Sequence, residues 1–245
     1  MTPDWMNRWR PIQGSIVREI ASGVGTALLV VWVMVLAMPS SAAASSEQRQ
    51  LVEKARLTLE AFGADPDMAG AVHQWKSEVK ALVIIPQFIR GAFVFGGAGG
   101  SGVAIVRDMK TGAWSEPAFY NIGSVSFGFQ AGGDMSEMIL VVLTQKGLEH
   151  LYRSDFKLGT DLSIALGPVG SGVAVRGITA DVLGYARKKG VYGGVSAEGA
   201  VVHVSDDSNY LYYGQEVRPT DILIKQSVSN PHSAGVRSAA SKLMQ

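Results

Sequence analysis

Three consecutive cations, Arg187, Lys188 and Lys189, are the residues best placed to do chemistry in this chain, within the stretch Tyr185-Ala-Arg-Lys-Lys-Gly-Val-Tyr-Gly-Gly-Val-Ser-Ala-Glu-Gly199. The run breaks at Gly190 and continues through Val191, Val195, Val201, Val202 and Val204 with small residues between. That pattern is a basic turn feeding a glycine-rich strand. Cations fixed on a rigid sheet are suited to holding phosphate. The same residues also suit a solvated hairpin tip, because charge runs mostly face water. Catalytic patterns are missing by comparison. His73, His150, His203 and His232 are widely separated and form no H-x-x-x-H pair. Ser196 has Gly194 before it but Glu198 after it, so no G-x-S-x-G is formed. Gly97, Gly99 and Gly102 match G-x-G-x-x-G in spacing, but Val103-Ala-Ile-Val106 after them is strand-like, and a dinucleotide needs a helix there. The expectation is a non-enzymatic protein with no cofactor and no metal. A hydrolase stays open as a third reading, since a triad can assemble in space.

These cations must be positioned by the rest of the chain. It has 245 residues, 47% hydrophobic and 18% charged, enough for one well-filled core. Its 29 glycines exceed the usual share and are mixed with Val, Ile and Phe, which points to tightly packed sheet. It has no cysteine, hence no disulfide and no thiolate site. Leu51, Val52, Ala55, Leu59 and Phe62 share one helical face, predicting a helix over Ser46 to Phe62. Asp65-Pro66 opens a second helix, with Met68, Val72, Trp75 and Val79 on one face and Lys76 and Lys80 near its end. From Ala81 the period becomes that of strands. Leu82 to Ile85 is a run closed by Pro86, followed by Phe88 to Phe95, Val103 to Arg107, Phe119 to Gln130 and Met138 to Leu143. Thr144 to Tyr152 reads as a short helix, and Gly170-Ser-Gly-Val173 as a hairpin turn echoing Gly100-Ser-Gly-Val103. The fold class expected is α+β: N-terminal helices packed on a bent, mostly antiparallel, glycine-rich β-sheet or partly closed barrel.

Three segments are expected. Residues 1–44 carry Arg8, Arg10 and Arg18, a charge-free run from Gly23 to Met38, and small residues to Ala44. That describes a signal peptide, or an uncleaved N-terminal anchor. The apolar run of 16 residues would span about 24 Å as a helix, short of a bilayer core. Residues 45–228 form the working domain, and 229–245 a loosely attached polar tail. With residues 1–44 set aside, the body holds 19 basic and 19 acidic residues, from 22 and 21 in the whole chain. A neutral body does not suit a nucleic-acid binder.

Taken in order, the motifs resemble those of the SYLF domain family. Arg90-Gly-Ala-Phe93 with Gly96-Gly97, Gly100-Ser-Gly-Val103, Trp114-Ser-Glu-Pro117 and Gly128-Phe-Gln-Ala-Gly132 are similar to its first blocks. Gly159-Thr-Asp-Leu-Ser163, Gly167-Pro-Val-Gly170, Tyr185 to Gly199 and Tyr212-Tyr-Gly214 follow, so the likeness covers about residues 46–225. Gly91-Ala92 reverses the family's usual order, and Arg187 and Lys188 make the turn more basic than its norm. The resemblance implies membrane-lipid binding, with phosphoinositides in eukaryotes and actin in yeast. Carried to an exported chain, it implies an anionic phospholipid surface in the periplasm or cell envelope. Arg187, Lys188 and Lys189, with Lys76, Lys80 and Arg90, are the expected phosphate contacts. A protein partner is the alternative.

Overall fold

A computed structural model describes residues 41–92, 95–127, 132–167, 179–188, 191–194 and 197–245. The expectations for residues 1–40, for Lys189 and for the Gly170–Val173 turn lie outside them.

The first helix, α1 (Ser41–Ala64), starts before the expected Ser46. It buries Val52, Ala55, Leu59 and Phe62, the stripe its spacing predicts. Asp65 caps α2 (Pro66–His73), its Oδ1 accepting from the amides of Asp67 at 3.0 Å and Met68 at 3.1 Å. The apolar spacing extends that helix to Val79, but α2 ends at His73. The next amides bond three residues back, Trp75 to Val72, Lys76 to His73 and Glu78 to Trp75. This tighter winding turns the chain into the sheet while keeping Trp75 and Val79 buried.

Nine strands make one sheet: β1 (Ala81–Ala92), β2 (Phe95–Val106), β3 (Ala118–Phe127), β4 (Gly132–Val142), β5 (Asp155–Lys157), β6 (Ile164–Leu166), β7 (Val182–Lys188), β8 (Val191–Gly194) and β9 (Val201–Val204). The order is β5-β9-β3-β2-β1-β4-β7-β6, with β8 pairing the far half of β7. Among these strands only β6–β7 is parallel. The α+β class and the mostly antiparallel sheet are as the sequence predicts.

The order also makes the sheet curl. Its edge strands β5 and β6 are separated by residues 158–163 alone. Eight strands laid flat would hold those edges about 34 Å apart. The link is too short for that and is folded tighter still. Gly159 N donates to Leu162 O at 2.7 Å, Asp161 N donates to Lys157 O at 2.9 Å, and Leu158 bridges to Leu162. The sheet is therefore a curled half-barrel.

Each face carries its own core. One face packs Leu82, Ile84, Val103, Ile139 and Leu183 against Val52, Leu59 and Phe62 of α1. The other gathers Val83, Ile85, Tyr120, Leu140, Phe156 and Val202. Because β1 is covered on both sides, Ala81 to Ile85 is continuously apolar. Pro86 does not close this strand as expected. The register shifts between Ile85 and Phe88, so Pro86 sits in a bulge, where a missing N–H costs little. At this bulge β2 passes so close that a side chain on Gly100 or Gly102 would meet the carbonyls of Gln87 and Ile84. That close approach is what these glycines are for, and the G-x-G-x-x-G spacing lies inside β2.

Helices α3 (Gln145–His150), α4 (Asp206–Tyr213) and α5 (Pro219–Leu223) connect or flank the strands, and a 3-10 turn over Pro231–Ser233 leads into α6 (Ala234–Leu243). The last helix corrects the expectation of a loose tail. Val236, Ala239, Ala240 and Leu243 are buried in the same core as α1. Residues 45–245 form one compact unit.

Candidate functional site

The expected phosphate contacts fall at two ends of the sheet. Strand register puts Arg90 opposite Asp134 across β1–β4, and Arg187 opposite Glu137 across β4–β7. Arg187 Nε donates to Glu137 Oε2 at 2.7 Å, and its guanidinium forms an ion pair with the same carboxylate. Lys188 Nζ lies 2.6 Å from Asp134 Oδ2. The Arg90 guanidinium is exposed and lies 5.9 Å from the Phe88 ring centroid, a cation–π distance. These three cations therefore share one end of the half-barrel, and two of them are already paired with carboxylates.

Alternation along the strands sorts this end into two faces. Phe88, Arg90, Asp134 and Lys188 continue the face of Ile85 and Met138. Ile89, Met135, Glu137 and Arg187 continue the face of Ile139 and Tyr185. Ile89 and Met135 oppose each other in register and are 54% and 55% exposed. The two side chains thus stand in water as a cross-strand apolar pair. The strand ends at Ala92, Phe95, Phe127, Gly132, Lys188 and Val191 all lie at this end, as their pairings require.

Lys76 and Lys80 lie elsewhere. Lys80 precedes β1, its amide donating to Val142 O at 2.9 Å and its carbonyl accepting from Arg107 N at 2.8 Å. Lys76 Nζ donates to the main-chain oxygen of Gln245 at 3.0 Å. Ten strand residues put Lys80 and Arg90 about 30 Å apart, so the single six-cation cluster is not formed. Sequence reasoning missed the carboxylates Asp134 and Glu137 and the Ile89–Met135 pair. Asp134, Met135 and Glu137 are far in sequence from Arg90 and Arg187, and only the β1–β4–β7 register brings them there. Among the described residues, no group of three or more acidic, His or Cys side chains is arranged to hold a metal.

Among the described residues, the α+β half-barrel brings exposed Arg90, Ile89 and Met135 together at its strand ends. The family described as "Ysc84: Las17-binding protein actin regulator" matches residues 123–245, and the chain belongs to that family. The LAS seventeen-binding protein 3 of Saccharomyces cerevisiae is 30% identical over 170 residues, 66% of this chain and 36% of the relative. The SH3 domain-containing YSC84-like protein 1 of Homo sapiens is 30% identical over 152 residues, 60% of this chain and 44% of the relative. The chain thus spans less than half the length of these relatives. No solved structure matches it.

Proposed function

We propose that the chain is a non-enzymatic binding protein that attaches to anionic phospholipid through the Ile89–Met135 end of its half-barrel. The observation that carries this reading is the exposed Ile89–Met135 pair lying on the same strand ends as Arg90, Arg187 and Lys188. Each cation near an anionic surface contributes about 1 kcal/mol. The partners Asp134 and Glu137 reduce that, so charge alone gives weak attachment. Burying one Ile or Met side chain adds roughly 1.5–3 kcal/mol. The two contributions together make a salt-sensitive but apolar-anchored contact. Residues 1–44, read as a signal peptide or anchor, put that contact in the cell envelope; the mass of the mature chain from its native cell tests this.

The binding test is flotation of residues 45–245 with phosphatidylcholine vesicles, with and without one third phosphatidylserine, over a salt series. Ile89→Ser with Met135→Ser should weaken binding at least tenfold. A triple Ala change at 187–189 should flatten the salt dependence. Equal binding by all three proteins sinks the assignment. The yeast relative's name, a LAS seventeen-binding protein, favours a second reading, in which the same surface holds a protein. Failure to float, with capture of a defined protein partner lost in the Ile89/Met135 variant, would select it.

A further inference from the structure

At the far end of the sheet, beside the start of β1, opens a cavity of about 470 Å³ lined by His73, Lys76, Ser77, Arg107 and Met109. It is an open hollow on the surface, with His73, Ser77 and Met109 exposed. Its lining holds two cations, an imidazole and a hydroxyl. Two acids adjoin the lining in sequence: Glu78, after Ser77, is exposed, and Asp108 is turned to its own loop, its Oδ1 accepting from the amides of Lys110 at 2.7 Å and Thr111 at 3.1 Å. The cavity already grips an oxygen. The Gln245 main-chain oxygen lies 3.0 Å from Lys76 Nζ and 3.4 Å from His73 Nε2. Arg107 is fixed in place, one terminal nitrogen donating to Lys76 O at 2.7 Å and its own amide donating to Lys80 O at 2.8 Å. Its Nε is buried with no hydrogen-bond partner. A buried guanidinium N–H without an acceptor is costly.

We infer that this cavity binds a phosphomonoester. Lys76 and Arg107 supply charge, His73 and Ser77 supply further donors, and the remaining space beside Met109 admits the organic part of the ester. The donors come from α2, the turn after it and the residue after β2, and charge-assisted bonds from such groups suit a phosphate. The bound phosphate takes the place of the Gln245 oxygen. The site lies about 30 Å along β1 from the Ile89–Met135 end and does not depend on what that end binds. The ester can be a free metabolite or a lipid headgroup, since the phosphate chemistry is the same.

The test uses the full chain in a neutral detergent. Glycerol 3-phosphate and inorganic phosphate are titrated against chloride at matched ionic strength, with calorimetry and the His73 imidazole NMR signals as readouts. Saturable binding is expected, weakened at least tenfold by Lys76→Met and by Arg107→Gln, and unchanged by the triple Ala change at 187–189. Lys76→Met removes an ammonium and its bond to the Gln245 oxygen but no buried core group, so it keeps the test valid if Arg107→Gln unfolds. Vesicles of phosphatidylcholine with one fifth phosphatidic acid form the second arm. Competition with glycerol 3-phosphate supports the site with a headgroup as its source, and lack of competition supports it with a soluble ester. Signal changes no larger than those from chloride, or undiminished binding by Lys76→Met, overturn the inference.

Discussion

Asp181 shows how one side chain joins distant parts of this fold. Thr144 Oγ1 donates to its Oδ1 at 2.6 Å, while Ser163 donates to Oδ2 through its amide at 3.0 Å and its hydroxyl at 2.8 Å. Thr144 Oγ1 also accepts from Gly147 N at 3.0 Å, capping α3. The one carboxylate thus ties the start of α3 to the turn before β6. Burial pushes its pKa up, but the hydrogen bonds from Thr144 and Ser163, with Lys146 nearby, prevail and hold it below the usual range. A depressed carboxyl stabilises the fold at pH above its unfolded value, about 3.9, and that stability is lost as pH falls through the folded value. Asp181→Asn keeps the shape but replaces one acceptor oxygen by a donor. It should cost about 1.5–3 kcal/mol at pH 7, shrinking toward zero below pH 4. Urea titrations at both pH values check this, and a pH-independent loss would rule out the charge as its origin.

The C-terminal segment makes the same point at the scale of an element. Glu116 is buried and accepts from Asn230 N at 3.2 Å, from Ser233 Oγ and from Arg237 at 2.9 Å. This clamp holds the entry to α6, whose Val236, Ala240 and Leu243 then close the helical core. Glu116→Ala leaves several buried donors without an acceptor and should cost about 3 kcal/mol by chemical denaturation. Arg237→Ala should cost less, because Arg237 is 41% exposed. A double-mutant cycle should give a coupling of about 1 kcal/mol. A Glu116→Ala protein within 0.5 kcal/mol of wild type would show that the clamp holds nothing. The sequence held part of this picture. The α1 stripe, the Asp65 cap and the apolar β1 run were legible because local periodicity and capping govern them. The role of α6 was not, because its polar, small-residue composition suggests a free tail. Its Val236, Ala240 and Leu243 spacing is helical, but what anchors it, Glu116 and the α1 core, lies more than a hundred residues earlier. The end of α2 at His73 was set likewise by the need to turn into β1, against a stripe that continues to Val79.

For the molecule as a whole, strand register decides what the cations can do. The basic run at Arg187 and Lys188 was visible in the sequence, but its neutralising partners and its apolar neighbours were not, because they lie on β1 and β4. The length of β1 separates Arg90 from Lys80, so one imagined patch becomes two ends with different chemistry. One end has exposed Ile89 and Met135 beside paired charges, which suits a broad, partly apolar surface. The other has a cavity lined by Lys76, Arg107 and His73, which suits a small anion. Hydrogen–deuterium exchange followed by mass spectrometry separates the two. Vesicles containing phosphatidylserine should slow exchange in peptides covering residues 88–90, 134–137 and 186–188, and leave those covering 73–77 and 107–109 unchanged. Glycerol 3-phosphate should do the reverse. The central amides of Val83 and Leu140, in strands covered on both faces, should stay protected throughout and report that the fold is intact. Protection by vesicles spread evenly over both ends would mean that the chain meets lipid without a fixed orientation, and the division of labour along β1 would be wrong.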